Sequence, residues 1–60
     1  MQGSILVIRF GSLGDVILTS ATVLNLRLAY PNHRLIFLTR ERYRAVVEKF
    51  YGVDKVETVP

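Results

Sequence analysis

The sequence has no cysteine and no tryptophan, and only one histidine. Without cysteine there is no disulfide framework and no thiolate metal site, and a single histidine cannot build a histidine-rich one, so no metal is expected. The apolar runs fall short of the roughly 20 residues that span a bilayer. The opening Met1-Gln2-Gly3-Ser4 lacks the cationic region of a secretory signal. A soluble, cytoplasmic chain is the expectation. No segment is low-complexity and no internal repeat is visible. Acidic residues are few, five against eight basic, which leaves a formal charge of +3 and biases any partner toward anions. Arg40, Arg42 and Arg44 carry much of that charge, and a solvated face of long side chains accounts for them without a ligand. The basic residues are not interleaved with an aromatic platform, which argues against nucleic acid as a partner.

What is present is apolar: half of the sixty residues are hydrophobic, which excludes disorder. At this length a folded chain hides only roughly 60% of its unfolded surface, so the core is marginal. Ser4 to Phe10 holds four consecutive aliphatic residues, the pattern of a central parallel strand covered on both faces. After a break at Gly11 to Gly14, the residues Ile17, Ala21, Leu24 and Leu28 recur at helical spacing from Asp15 to about Ala29, with Thr22 and Asn25 away from that stripe. Pro31 restricts Tyr30 to extended conformations and ends the helix, leaving His33 as an exposed turn residue. Arg34 to Thr39 repeats the apolar strand pattern. Glu41 to Phe50 then offers Tyr43, Val46, Val47 and Phe50 at helical spacing, with Gly52 as the stop. Lys55 to Val59 alternates as a third strand.

The order βαβαβ with short connections predicts an α/β fold, a Rossmann-like parallel sheet with right-handed crossovers. In the strand order 3-2-1 both helices cover the same face. The other face, either Leu6, Ile8, Ile36 and Leu38 or Ile5, Val7, Leu35 and Phe37, then meets water as a large apolar patch. More chain or another copy is needed to cover it, so the sixty residues alone are expected to self-associate.

Gly11-Ser12-Leu13-Gly14-Asp15 joins the first strand to the first helix at the carboxyl edge of the sheet, where open α/β folds bind ligands. It is not a dinucleotide fingerprint, because Leu13 stands where the second glycine belongs, and not a Walker loop, because Asp15 rather than lysine follows Gly14. Asp15 would also occupy the electropositive helix end that a phosphate uses. It reads either as a helix cap or first-turn acid or as a general base with glycine neighbours that leave room for a substrate hydroxyl. Ser12 is another candidate cap and has no basic partner that would make it a nucleophile. Arg9 either solvates the sheet edge or stabilises negative charge beside the loop.

The stretch Ile5 to Thr19, with Leu13-Gly14-Asp15-Val16 at its centre, resembles the opening of the ADP-heptose:lipopolysaccharide heptosyltransferases of glycosyltransferase family 9. Leu24 through Ala29-Tyr30-Pro31, Leu35 to Thr39 with Glu41-Arg42-Tyr43, and Gly52 to Val56 resemble the family's next segments in order and spacing. The resemblance covers nearly all of the chain. It implies a two-domain GT-B architecture, of which residues 1–60 are part of the N-terminal acceptor domain and the C-terminal nucleotide-sugar domain is absent. It also implies transfer of a sugar from a nucleotide-sugar donor such as ADP-heptose to a lipopolysaccharide inner-core acceptor, with inversion and without a metal or other cofactor. Asp15 matches the proposed catalytic base. Arg9 and the loop Gly11, Ser12, Leu13 and Gly14 are accompanying substrate-binding candidates, and so are Arg40 and Arg42, which would meet an acidic acceptor at the cytoplasmic membrane surface. Ser20-Ala21 stands where many members have Thr-Pro. By itself the chain is expected to be inactive. The competing expectation is a non-catalytic α/β binding or regulatory module; a nucleotide-dependent oxidoreductase is disfavoured by the missing glycine.

Overall fold

In a computed structural model, which describes residues 3–60, the chain folds as strand β1 (Ser4–Ile8), helix α1 (Leu13–Ala29), strand β2 (Arg34–Arg40), a 3-10 turn at Glu41–Tyr43, a single helical turn α2 (Arg44–Val47) and strand β3 (Lys55–Val59). The strands form one parallel sheet in the order β1-β2-β3. The expected βαβαβ order and parallel pairing are therefore present, as a small α/β domain.

Parallel pairing puts Ile5 beside Leu35 and Val7 beside Phe37, while Phe37 meets Val56 and Thr39 meets Thr58. Side chains alternate along a strand, so these residues share one face. Leu35, Phe37 and Thr39 are buried there, under Val16 and Val23 of α1 and Val47 of α2. Phe37 is the largest of them and meets Phe50 edge-on at 5.8 Å between ring centroids. Both helices thus lie on the same side, as the order 3-2-1 requires. The opposite face carries Leu6 and Ile8, about half exposed, beside Ile36 and Leu38. Of the two alternatives, the bare face is the one with Leu6.

Three expectations about how the elements pack need correction. β1 is an edge strand and covered on one face only, not a central strand covered on both. The stripe Ile17, Ala21, Leu24 and Leu28 does not enter the core: Ile17, Leu24 and Leu28 are 48%, 42% and 70% exposed, and Ala21 is exposed too. The buried face is instead Val16, Thr19 and Val23, continued by Leu26. A helix with apolar residues on two faces offers two solutions of the same period, and docking on β2 selects one. The second helix is also far shorter than Glu41 to Phe50; only Val47 of its stripe is fully buried, with Tyr43 and Phe50 packed around it.

Arg27, which no local pattern marks, joins the connections at the amino edge of the sheet. Its Nη1 donates to the carbonyls of Pro31 (3.2 Å) and His33 (2.7 Å), and its Nε and Nη2 both donate to that of Gly52 (3.2 and 2.7 Å). Nη2 also pairs with Asp54, whose Oδ2 accepts the backbone N–H of Leu35 at 2.8 Å. Gly52 does not stop α2 directly but closes the turn after it, at φ +96°. A Cβ there would also come within 3.0 Å of the Arg27 Cβ. His33 is half-buried rather than a free turn residue, its ring tilted against Tyr30 at 5.1 Å.

Candidate functional site

The β1–α1 connection ends at Ser12, which is extended (φ −62°, ψ 163°) and caps the helix: its Oγ accepts the Asp15 N–H at 3.4 Å and its carbonyl accepts the Val16 N–H at 3.0 Å. α1 therefore begins two residues before Asp15. Asp15 is not the cap but a first-turn acid, a position that favours negative charge. Through its backbone it is tied down on both sides, since its carbonyl also accepts the Thr19 hydroxyl at 2.8 Å. Its carboxylate is not: among the described residues it makes no hydrogen bond and no ion pair.

Gly11 makes the space for that carboxylate. A Cβ on Gly11 would stand 3.2 Å from Asp15 Oδ2, tighter than ordinary contact. Gly14 has no comparable neighbour, Ser12 Oγ lying 4.0 Å from where its Cβ would be. Leu13 is the exposed first residue of the helix.

Arg9 continues the β1 ladder by one bond, its N–H donating to Leu38 O at 3.1 Å. Its side chain and Asp15 line one cleft of about 180 Å³, completed by Leu18, Thr19 and Thr22 of α1. Arg9 and Asp15 form no ion pair across it. An anion and a cation, neither with a side-chain partner among the described residues, thus face one opening at the carboxyl edge of a parallel sheet, the edge at which such sheets bind ligands. Chemically, the pair can accept a proton from a hydroxyl on one side and stabilise an anion on the other.

The other arginines are not brought to this cleft. Arg40 lies over the Phe10 ring at 5.8 Å and donates from Nη1 to Pro60 O at 3.0 Å. Arg42 lies over Tyr43 at 5.0 Å. Arg44 is bound to Glu41 at 2.7 Å and to Thr58 Oγ1 at 2.9 Å, and the Glu41 carboxylate raises its pKa above the ordinary arginine value. Their shared spacing in the chain does not make a shared patch. A larger hollow, about 350 Å³, lies at the opposite, amino edge between Arg27, Pro31, Asn32, His33, Arg34 and Asp54. Its Arg27 is already occupied by carbonyls and by Asp54, so it is a by-product of the connections rather than a rival site.

Two features escape sequence reasoning. Leu18 and Thr22 reach the cleft because they follow Asp15 by three and seven residues and so share its helix face, a relation open to inspection once Asp15 is chosen. Thr39 is fully buried at the carboxyl end of β2 and its hydroxyl has no partner among the described residues, for which there is no local signal. No described helix is long and apolar enough to cross a membrane. Compared with known proteins, the chain matches no family model, no curated protein and no solved structure.

Proposed function

We propose that the chain is the acceptor-side part of an inverting glycosyltransferase, a GT-B enzyme that moves heptose or a related sugar from a nucleotide-sugar, ADP-heptose foremost, to a lipopolysaccharide inner-core acceptor at the cytoplasmic face of the membrane. The observation that carries it is the free carboxylate of Asp15 facing Arg9 across a cleft at the carboxyl edge of the sheet. The sequence resemblance supplies the reaction. Asp15 accepts the proton of an acceptor hydroxyl as its oxygen attacks the anomeric carbon. The bond from that carbon to the nucleotide diphosphate breaks on the far face, the diphosphate leaves with the electron pair, and the anomeric centre inverts. Arg9 faces the negative charge of the bound substrates. The sequence resemblance assigns the nucleotide-sugar to a second Rossmann-like domain, so residues 1–60 alone are expected to turn nothing over.

Asp15→Asn tests this in the polypeptide that carries both halves. Ser12, not Asp15, holds the cap, so the variant stays folded, losing about 0.3–1 kcal/mol of helix-end electrostatics. Turnover should fall about 10²–10⁴-fold for the loss of a general base, roughly 3–5 kcal/mol of barrier. Near-normal turnover by a well-folded Asp15→Asn protein ends the proposal. A second reading, a non-catalytic binding module, is favoured by the exposed first-turn position of Asp15, which is sufficient for a purely stabilising role. It predicts no transfer by either protein.

A further inference from the structure

The cleft beside Asp15 has a shape that the general-base role alone does not require. Asp15, Leu18, Thr19 and Thr22 lie at i, i+3, i+4 and i+7, so the cleft runs along α1 for two turns, about 10 Å at 1.5 Å per residue. The two threonines are differently used. Thr19 is buried and its hydroxyl is bound to Asp15 O, whereas Thr22 is exposed and its hydroxyl makes no hydrogen bond among the described residues. Threonine is a poor former of helix interiors, and here it gives the fold no compensating bond. Between Asp15 and Thr22 stands Leu18, 74% exposed. The surface therefore reads, along one line, as carboxylate, apolar side chain, free hydroxyl, with Arg9 on the flank.

At about 180 Å³ the cleft is smaller than the roughly 300–1,000 Å³ of sites that enclose a drug-sized ligand; it fits one small ring. No aromatic residue lines the cleft for a planar base to stack on, and its single guanidinium, that of Arg9, comes from the end of β1 and not from the α1 line of Asp15, Leu18 and Thr22. A saccharide ring, apolar on its C–H face and hydroxylated at its rim, matches the alternation. We infer that Leu18 and Thr22 are acceptor-recognition residues: the acceptor sugar lies along α1 with its C–H face on Leu18, a non-reacting hydroxyl on Thr22 Oγ1 and its reacting hydroxyl at Asp15. This rests on the glycosyl-transfer reading of the cleft and adds to it the direction of the acceptor and the two side chains that select it.

The test is ligand-observed saturation-transfer NMR on this chain, which tolerates self-association, with methyl α-D-mannopyranoside as the sugar probe and AMP as the nucleotide probe. Saturation should reach the ring C–H protons of the mannoside and not AMP. Thr22→Val should weaken the signal several-fold, the loss of one hydrogen bond being worth up to about tenfold. Thr22→Ser should keep it, and Leu18→Ala should lose it. Circular dichroism confirms that each variant is folded, which exposed positions permit. The inference is overturned if the mannoside takes up no saturation from the unmodified chain, if Thr22→Val and Leu18→Ala leave the signal unchanged, or if AMP takes it up instead. Asp15→Asn separates this from the catalytic reading: sugar binding that persists while Asp15→Asn leaves turnover intact removes the base and keeps the recognition surface.

Discussion

Replacing Arg27 by methionine keeps an apolar stem and removes every donor of the guanidinium. Two magnitudes compete. If Arg27 contributed only an exposed ion pair, its loss would cost under about 1 kcal/mol. Its side chain is, however, only 16% exposed, and it donates to three backbone carbonyls in two separate connections, residues 31 and 33 before β2 and residue 52 before β3. Hydrogen bonds to a charged group contribute about 1.5–3 kcal/mol each, but the bonds share one side chain and do not add. A loss of about 2–4 kcal/mol follows, against a total stability of roughly 3–9 kcal/mol for sixty residues. At about 4–8 °C per kcal/mol for a domain of this size, the melting temperature should fall by at least about 8 °C. Thermal unfolding followed by far-UV circular dichroism, at several protein concentrations to account for association, measures it. A variant within about 3 °C of the unmodified chain would refute the hub and reduce Arg27 to a surface ion pair.

Acid should destabilise the chain through Asp54, whose pKa is lowered first by the Leu35 N–H and then by Arg27. A carboxylate depressed in the folded state stabilises fully above its unfolded pKa, about 3.9, and loses that contribution as the pH falls through the lower folded value. Stability measured from pH 5 downward should therefore drop, and Asp54→Asn should flatten the drop; an unchanged acid limb would remove the linkage. Glu57, lowered by its hydrogen bond to Lys55, adds to the same limb, and Glu57→Gln isolates its part. Thr39→Val removes a buried hydroxyl with no partner among the described residues at nearly constant shape, so stability should rise by about 1 kcal/mol; a loss instead would reveal an unseen hydrogen bond. On the bare face, Leu6→Lys with Ile8→Lys should abolish self-association in sedimentation velocity without lowering helix content. Association that survives both substitutions would place the contact elsewhere.

The elements were legible locally because each depends on near neighbours. Ile5 to Ile8 and Leu35 to Leu38 are unbroken apolar runs of strand length, Pro31 closes α1 from two residues beyond its end, and Gly-Asp after a strand marks a strand-to-helix turn whoever its partners are. Even the uncovered face followed from chain order, since two right-handed crossovers in the order 3-2-1 put both helices on one side. Which of two alternating sets lay under the helices did not follow, because a period of two is symmetric until pairing on β2 assigns Leu35 and Phe37 to the core. The same ambiguity misassigned α1. Ile17-Ala21-Leu24-Leu28 and Val16-Thr19-Val23-Leu26 are both helical stripes, and only the second contains the residues that meet Phe37 and Leu35. At the candidate site, residue type and position singled out Asp15 and Arg9 and offered both Ser12 and Asp15 as the cap, but the choice of Ser12 and the dispersal of Arg40 and Arg42 onto Phe10 and Tyr43 rest on distances that spacing does not encode. Arg27 is the extreme case, for its partners Gly52 and Asp54 lie 25 and 27 residues away. A contact of that range exists only after the sheet has brought the ends of α1, β2 and β3 to one edge, so it was decided by the tertiary structure alone.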